Sequence, residues 1–117
     1  MDLLLSARPG LGCTVVEASG DLDMATSPQL RDSLQQLIDA GDRQVVVDLA
    51  GVRFIDSSAL GTLVVMFKAL RDVGGRLCLA SVQPGVRRVL KITSVDRVVD
   101  IYDDVQGAEA TCHPRTA

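Results

Sequence analysis

The fold of this chain is decided at residues 54–61, Phe-Ile-Asp-Ser-Ser-Ala-Leu-Gly, where two apolar patterns of different period meet. Before this stretch, a β-branched block ends at Asp48-Leu49 and a short link leads to Phe54-Ile55. After it, apolar residues recur at helical spacing: Leu60, Leu63, Val64, Phe67 and Leu70. The stretch therefore predicts a buried strand, a loop and the start of a helix.

Ser57 and Ser58 lie at this predicted helix start, next to Asp56. Backbone N–H groups are unpaired in the first turn of a helix, and the helix dipole is positive there. A phosphate is well accommodated at such a position. A hydroxyl is also an ordinary helix cap, so the residues alone leave both readings open.

The composition favours one globular domain that does not bind nucleic acid. The 117 residues are 47% apolar and 23% charged, and a chain of this size buries roughly 65% of its unfolded surface. The net charge is −3, and the aromatic residues are only Phe54, Phe67 and Tyr102. Nucleic-acid binding favours basic surfaces and aromatic stacking platforms.

The cysteines indicate neither a disulfide framework nor a zinc site. Cys13, Cys78 and Cys112 lack CxxC spacing, and the first two lie in strand-like apolar runs typical of buried small hydrophobes. Neither a membrane span nor a secretory signal is apparent. We therefore expect a cytoplasmic protein without a membrane partner.

The remaining pattern predicts the element order β-β-α-β-α-β-α-β with a short terminal helix. A hairpin is predicted with its turn at residues 9–12, and the first helix starts near Pro28, capped by Thr26 or Ser27, and ends at Gly41. Further strands are predicted at 45–47, 77–80 and 97–102. A third helix starts at Pro84, and a short fourth helix covers 105–110. This order predicts an α/β fold, with a mixed, mostly parallel sheet, an N-terminal hairpin and about four helices. We expect residues 1–110 to form the domain and residues 111–117 to be a flexible polar tail.

The sequence does not favour an enzyme. A serine nucleophile needs a base, and the single histidine, His113, lies in the polar tail. GxSxG, GxxxxGK[ST] and HExxH motifs are absent, and the Gly10-Leu11-Gly12 turn is a weak signal for phosphate binding. We therefore predict no catalytic residues and no cofactor.

Each of two groups of charged residues could have either a structural or a functional role. Asp21, Asp23, Asp48 and Asp56 fall near strand ends, where converging carboxylates could bind a metal or accept a phosphate, but separate turn and capping roles are favoured. Residues 87, 88 and 91 are Arg, Arg and Lys on the predicted third helix. A solvated helix face is favoured for them over an edge that meets an acidic partner.

Four segments together resemble the STAS domain of bacterial anti-anti-sigma factors. They are 20–23 (Gly-Asp-Leu-Asp), 54–61, 74–80, and 81–90, which is similar to the family's S-P-x-V-x-R-hydrophobic helix. The resemblance covers roughly residues 3–106 and implies the STAS fold.

The resemblance implies a phosphorylation switch. In the family, the serine after the aspartate, here Ser57, is phosphorylated by an anti-sigma factor that is a serine kinase, and a serine phosphatase reverses this. The unmodified protein binds the anti-sigma factor and frees its sigma factor. Ser58 is then expected to support the first helical turn through its hydroxyl.

The resemblance also implies where the partner binds. The expected surface combines the loop that carries Asp23 with the helix after the serine, and it includes Asp21, Asp23, Thr26, Leu60 and Gly61. A monomer or a weak homodimer is expected. Since a phosphate adds about −1.5 to −2 charges at pH 7, it would make the field near these acids strongly negative.

Two positions depart from the family pattern. Ala59 stands where relatives usually carry glycine, and its methyl group is expected to narrow the approach of a kinase or partner backbone. Asp48 stands where relatives often carry asparagine. Two alternatives also stay open: a regulatory STAS subunit of a lipid-transport ATPase complex, and a weak nucleotide-binding STAS module.

Overall fold

A computed structural model describes residues 3–112, which form a five-stranded sheet with four α-helices. The strands are β1 (Leu4–Pro9), β2 (Thr14–Leu22), β3 (Gln44–Ile55), β4 (Arg76–Ala80) and β5 (Ile101–Tyr102). The helices are α1 (Ser27–Asp39), α2 (Ser57–Asp72), α3 (Pro84–Ile92) and α4 (Val105–Glu109), with a 3₁₀ turn at Val95–Arg97. The predicted α/β fold, its N-terminal hairpin and the number of helices are confirmed.

The sheet order is β1-β2-β3-β4-β5. β1 is antiparallel to β2, and every other neighbouring pair is parallel. Leu22 and Ile55 are register partners at the ends of β2 and β3. The loops that lead into α1 and α2 therefore start side by side, at the carboxyl ends of these two parallel strands.

The two faces of the sheet carry separate apolar clusters. The larger cluster packs α1, α2 and α3 against one face and includes Leu30, Leu63 and Leu90, each with no exposed surface. The smaller cluster, on strand positions that alternate with the first, packs Val46 and Cys78 against α4. Val45–Val47 and their neighbours in β4 are buried on both faces, as expected for central parallel strands.

β3 is longer than the sequence predicted. The expected link between Leu49 and Phe54 continues the strand, because β2 also continues and pairs with it through Ser19 opposite Gly51. A side chain at Gly51 would lie 2.8 Å from Ser19 Oγ and 3.0 Å from Ala18 O. Gly51 therefore allows the two backbones to approach at this irregular register.

The prediction of a last strand over residues 97–102 is wrong for most of its length. Ser94 adopts a left-handed conformation with φ of 63°, and the chain then makes the 3₁₀ turn. Val95 and Val99 are buried while Val98 is exposed, which is the spacing of a helical turn. Only Ile101 and Tyr102 pair with β4.

The C-terminal boundary also differs from the prediction. Thr111 Oγ1 accepts a hydrogen bond of 2.6 Å from Arg76, and Cys112 is buried against α4. These two residues are thus held by the fold, whereas the rest of the predicted tail, including His113, lies outside the described residues. Within residues 3–112, every helix is too short or too polar to cross a bilayer.

Candidate functional site

Asp56 is the residue that organises the start of α2. Its Oδ1 accepts a 3.0 Å hydrogen bond from the N–H of Ala59, three residues on, which is the geometry of an N-cap. Its Oδ2 accepts a 2.9 Å bond from the N–H of Met24 in the neighbouring loop. Its own N–H donates to Leu22 O at 3.0 Å. One carboxylate therefore joins the two loops and starts the helix.

Ser57 is the first residue of α2, and its side chain is exposed. Within residues 3–112, the Ser57 hydroxyl has no hydrogen-bond partner, and the same is true of the half-buried Ser58 hydroxyl. The expectation that Ser58 supports the first turn through its hydroxyl is therefore wrong. Asp56 takes that role because it occupies the N-cap position, from which a short acceptor reaches the third N–H of the helix.

Ala59 points into the molecule. Its side chain has no exposed surface and belongs to the larger core cluster. The expected narrowing of a partner's approach by this methyl group is therefore wrong. The departure from glycine adds a small buried contact and leaves the outer surface of α2 unchanged.

The loop at residues 23–26, between β2 and α1, is held by hydrogen bonds within residues 21–26. Asp23 Oδ1 accepts hydrogen bonds from the N–H groups of Ala25 and Thr26, both at 3.0 Å. Thr26 Oγ1 donates to Asp21 O at 2.8 Å and accepts from Asp23 N at 3.0 Å. Thr26 is only 6% exposed, so its side chain supports the loop from inside, and its predicted part in partner binding stays a prediction.

The aspartates at the strand ends serve turns and caps. Asp48 Oδ1 accepts a 3.0 Å bond from Ala50 N, and Asp23 and Asp56 bind backbone N–H groups as described above. In the described part of the chain, the acidic, cysteine and histidine side chains form no cluster suited to a metal ion. The alternative of separate turn and capping carboxylates is confirmed for these three.

Two exposed apolar side chains lie on the segments next to Asp56, and a groove lined by apolar residues of α2 begins at Ser57. Met24, whose N–H is bound by Asp56, is 74% exposed, and Phe54 at the end of β3 is 51% exposed. On α2, Leu60, Gly61, Val64 and Val65 continue from Ser57 and form one side of a shallow groove. Thr93 and Val95 form the other side. The sequence pointed to Leu60 and Gly61, but it did not identify the residues after α3.

The basic residues of α3 are exposed, as a solvated helix face requires. Arg87 approaches Asp103 at 3.5 Å, in a pair whose two side chains are largely exposed, so its contribution to stability is small. Arg88 and Lys91 form no salt bridge within residues 3–112. These observations agree with the structural reading of the group and leave two cations available for an acidic partner.

The Gly10-Leu11-Gly12 turn faces a carboxylate. The N–H of Leu11 donates a 2.8 Å hydrogen bond to Glu109 Oε2 of α4, and a side chain at Gly10 would lie 2.7 Å from the same oxygen. A phosphate-binding loop presents free N–H groups to an anion. This turn instead ties the hairpin to α4.

The three cysteines lie at the second face of the sheet. Cys13 packs against the small cluster that contains the buried Cys78 and Cys112. Burial raises the pKa of the Cys78 thiol to about 12 and that of Cys13 to about 11. Both groups are therefore protonated at neutral pH and act as apolar side chains.

Comparison with known proteins agrees with this architecture. The sequence matches the STAS domain family over residues 6–108. It is 30% identical over 105 residues to the anti-sigma F factor antagonist of Paenibacillus polymyxa, covering 89% of this chain and 90% of that protein.

Solved structures show the same fold. An anti-sigma-factor antagonist (STAS) domain protein from Planctomyces limnophilus superimposes with a TM-score of 0.82 at 25% identity, covering 92% of this chain and 97% of that one. The Bacillus cell fate determinant SpoIIAA, solved in its phosphorylated form, gives a TM-score of 0.70 at 19% identity, with 92% and 99% covered. With a family match over almost the whole described sheet and its helices, this chain belongs to the STAS domain family, together with anti-sigma factor antagonists.

Proposed function

We propose that this protein is an anti-sigma factor antagonist that is switched by phosphorylation of Ser57. In its unphosphorylated form it binds an anti-sigma factor with serine-kinase activity, and so releases the sigma factor. The observation that carries this proposal is the exposed, unbonded Ser57 hydroxyl at the first residue of α2, whose cap is supplied by Asp56. The name of the Paenibacillus polymyxa relative supports the antagonist role.

The helix start makes a phosphate compatible with the fold. Ser57 lies one residue after the N-cap, where N–H groups point out of the helix and the dipole is positive. A phosphate on its hydroxyl would meet this positive end without displacing a hydrogen bond of the described chain. The modified protein should therefore keep its structure, and the switch should act at the surface.

The same phosphate disfavours a partner that fits a neutral hydroxyl. It adds about −1.5 to −2 charges next to Asp56 and to the loop of Asp23, which the Met24 N–H bond holds beside α2. Like charge and the desolvation of the phosphate then oppose binding. A loss of about 4 kcal/mol corresponds to roughly a thousandfold weaker complex.

A regulatory role without catalysis fits the site better than an enzyme. Within residues 3–112 no side chain accepts a hydrogen bond from the Ser57 hydroxyl, so no base is placed to activate it. The carboxylate that occupies the Gly10–Gly12 turn opposes the nucleotide-binding alternative. We propose a serine phosphatase as the second partner, which returns Ser57 to its hydroxyl form.

The proposal is tested by phosphorylation in vitro. The wild-type protein, Ser57→Ala and Ser58→Ala would each be incubated with Mg-ATP and each serine-kinase anti-sigma factor encoded in the same genome. Intact mass and peptide sequencing should show one phosphate, on Ser57, in the wild type and in Ser58→Ala. Ser57→Ala should stay unmodified. A phosphate placed on Ser58, or no incorporation into the wild type with any kinase, would contradict the proposal.

A further inference from the structure

The strand β1 is an open edge of the sheet. Within residues 3–112 it pairs with β2 on one side and with no strand on the other. Protein sheets commonly protect such an edge with charged side chains, proline or a bulge. Residues 4–7 of β1 are Leu, Leu, Ser and Ala, so Arg8 and Pro9 protect only its last two positions. The edge is therefore suited to pair with another strand.

The backbone groups that β1 offers are those of its odd-numbered residues. The register of β1 with β2, extended by one pair, places Gly10 opposite Cys13, and the Gly10 N–H donates to Cys13 O at 2.8 Å. Bonded and unbonded pairs alternate in an antiparallel ladder. The even-numbered residues of β1 therefore bond to β2, and the N–H and C=O groups of Leu5 and Ala7 point away from the sheet.

The two ends of this edge complement each other. Leu3 O, just before β1, accepts a 2.9 Å hydrogen bond from Gln29 Nε2 of α1, so this carbonyl is already bonded. Pro9, at the other end, has no N–H to donate. A second β1 that runs antiparallel, with Ser6 opposite Ser6, places Leu3 of one copy opposite Pro9 of the other. The carbonyl that is already bonded then faces the residue that cannot donate.

The side chains on the α1 side of β1 fit the same register. Leu5 of each copy lies opposite Ala7 of the other, so that a large side chain meets a small one. Ala7 lines a hollow of about 50 Å³, together with Val16 of β2 and with Ser33 and Leu37 of α1. Leu5 of the second copy would pack against this hollow.

The side chains on the other side of β1 also fit. In this register Leu4 of one copy lies opposite Arg8 of the other. Leu4 is 70% exposed, and Arg8 is paired with Glu17 at 2.9 Å. The aliphatic stem of Arg8 can cover an apolar side chain while its charge stays beside Glu17. Because Arg8 meets Leu4, the two arginines of the pair are kept apart.

We propose that two copies of this chain pair through β1, antiparallel about a two-fold axis at Ser6, and so join their sheets into one. A second copy is favoured over another strand because the backbone groups and side chains of β1 complement those of β1 itself. The outer strand left on each copy, β5, is only two residues long, so the assembly closes as a dimer. The two Leu5–Ala7 pairs supply about four backbone hydrogen bonds. Since this is fewer than a standard interface provides, we expect a dissociation constant of roughly 10–100 µM.

The first test removes one outward N–H group. Ala7→Pro deletes a donor that points away from β2, and proline is tolerated at such an edge position. Ala7→Ser is the matched control, because it stays small and keeps the N–H. In sedimentation velocity from about 5 to 500 µM, the wild type and Ala7→Ser should shift from monomer towards dimer, and Ala7→Pro should stay monomeric with an unchanged circular dichroism spectrum. A wild type that stays monomeric, or an Ala7→Pro variant that dimerises equally well, would overturn the proposal.

The second test fixes the register and needs no proline. In Ser6→Cys the two new thiols face each other in an unbonded pair, with Cα atoms about 4.5 Å apart, which a disulfide can span. Oxidised glutathione, which takes up the two electrons and two protons, should convert this variant to a covalent dimer. Arg8→Cys, opposite Leu4, should stay unlinked, as should the wild type with its half-buried Cys13. Crosslinking through Arg8→Cys, or none through Ser6→Cys where the wild type is dimeric, would contradict the proposed pairing.

Discussion

The first turns of α1 and α2 differ in a way that separates structure from function. Both helices start beside each other at the ends of β2 and β3, and each has a serine as its first residue, Ser27 and Ser57. Ser27 is 7% exposed and Thr26 before it is 6% exposed, whereas Ser57 is exposed and unbonded within the described chain. The Thr26 hydroxyl is thus structural, whereas the Ser57 hydroxyl is exposed at a helix start whose cap Asp56 supplies.

The caps of the two helices explain this difference. The side chain of Thr26 makes no cap bond to α1, because its hydroxyl is used by Asp21 O and Asp23 N, and Pro28 leaves one fewer N–H to satisfy. In α2, the carboxylate of Asp56 caps the helix and also binds the neighbouring loop. Because the two carboxylate oxygens of Asp56 accept both the cap bond and the bond from the neighbouring loop, neither bond requires the Ser57 hydroxyl.

The largest effect on stability is expected for Thr26→Val. Valine keeps the shape but removes the hydroxyl, which leaves Asp21 O and Asp23 N without their partner in a buried site. The free energy of unfolding in urea should fall by about 2 kcal/mol. A fall of less than about 0.5 kcal/mol would mean that the two helix starts do not differ as described.

Asp56→Ala should have a smaller effect, because the site is partly solvated. Loss of the cap and of the Met24 bond should lower the free energy of unfolding by about 1.5 kcal/mol. Asp56→Asn is the control: it can cap Ala59 N through its oxygen, while its amide group faces Met24 N–H and cannot accept. An Asn variant as unstable as the Ala variant would show that the cap contributes little.

Ser57→Ala should have the smallest effect on stability. The side chain is exposed and, within residues 3–112, unbonded, so thermal unfolding should change by no more than about 0.5 kcal/mol. Set beside Thr26→Val, this variant is the direct test of the comparison between the two helix starts. A loss of more than 1 kcal/mol, roughly, would assign Ser57 a structural role.

The sequence correctly predicted the helices and strands whose conformation follows from the local spacing of their apolar residues. The spacing of Leu60, Leu63 and Leu70 indicated α2, and the β-branched run at 45–47 indicated a central strand. The last strand was mispredicted because Val98 and Val99 fit an alternating pattern as well as a turn. Only the left-handed Ser94 and the burial of Val95 together with Val99 decide between them.

The site was predicted where its contacts are local and missed where they are not. Ser57 and Asp56 are neighbours in the chain, so the motif placed them correctly at a helix start. The groove depends on Thr93 and Val95 reaching α2 across the fold, and the tie from Asp56 to Met24 spans 32 residues. Ser58 and Ala59 were misassigned because their roles depend on which way each side chain points.

The central claim is that one phosphate on Ser57 controls partner binding without refolding the protein. The direct measurement is calorimetry of the anti-sigma factor against unphosphorylated and fully Ser57-phosphorylated protein, with thermal unfolding of both. We predict an affinity at least about a thousandfold weaker for the phosphorylated form, with melting temperatures within a few degrees of each other. Equal affinities, or a loss of binding that accompanies unfolding of the phosphorylated protein, would contradict this account.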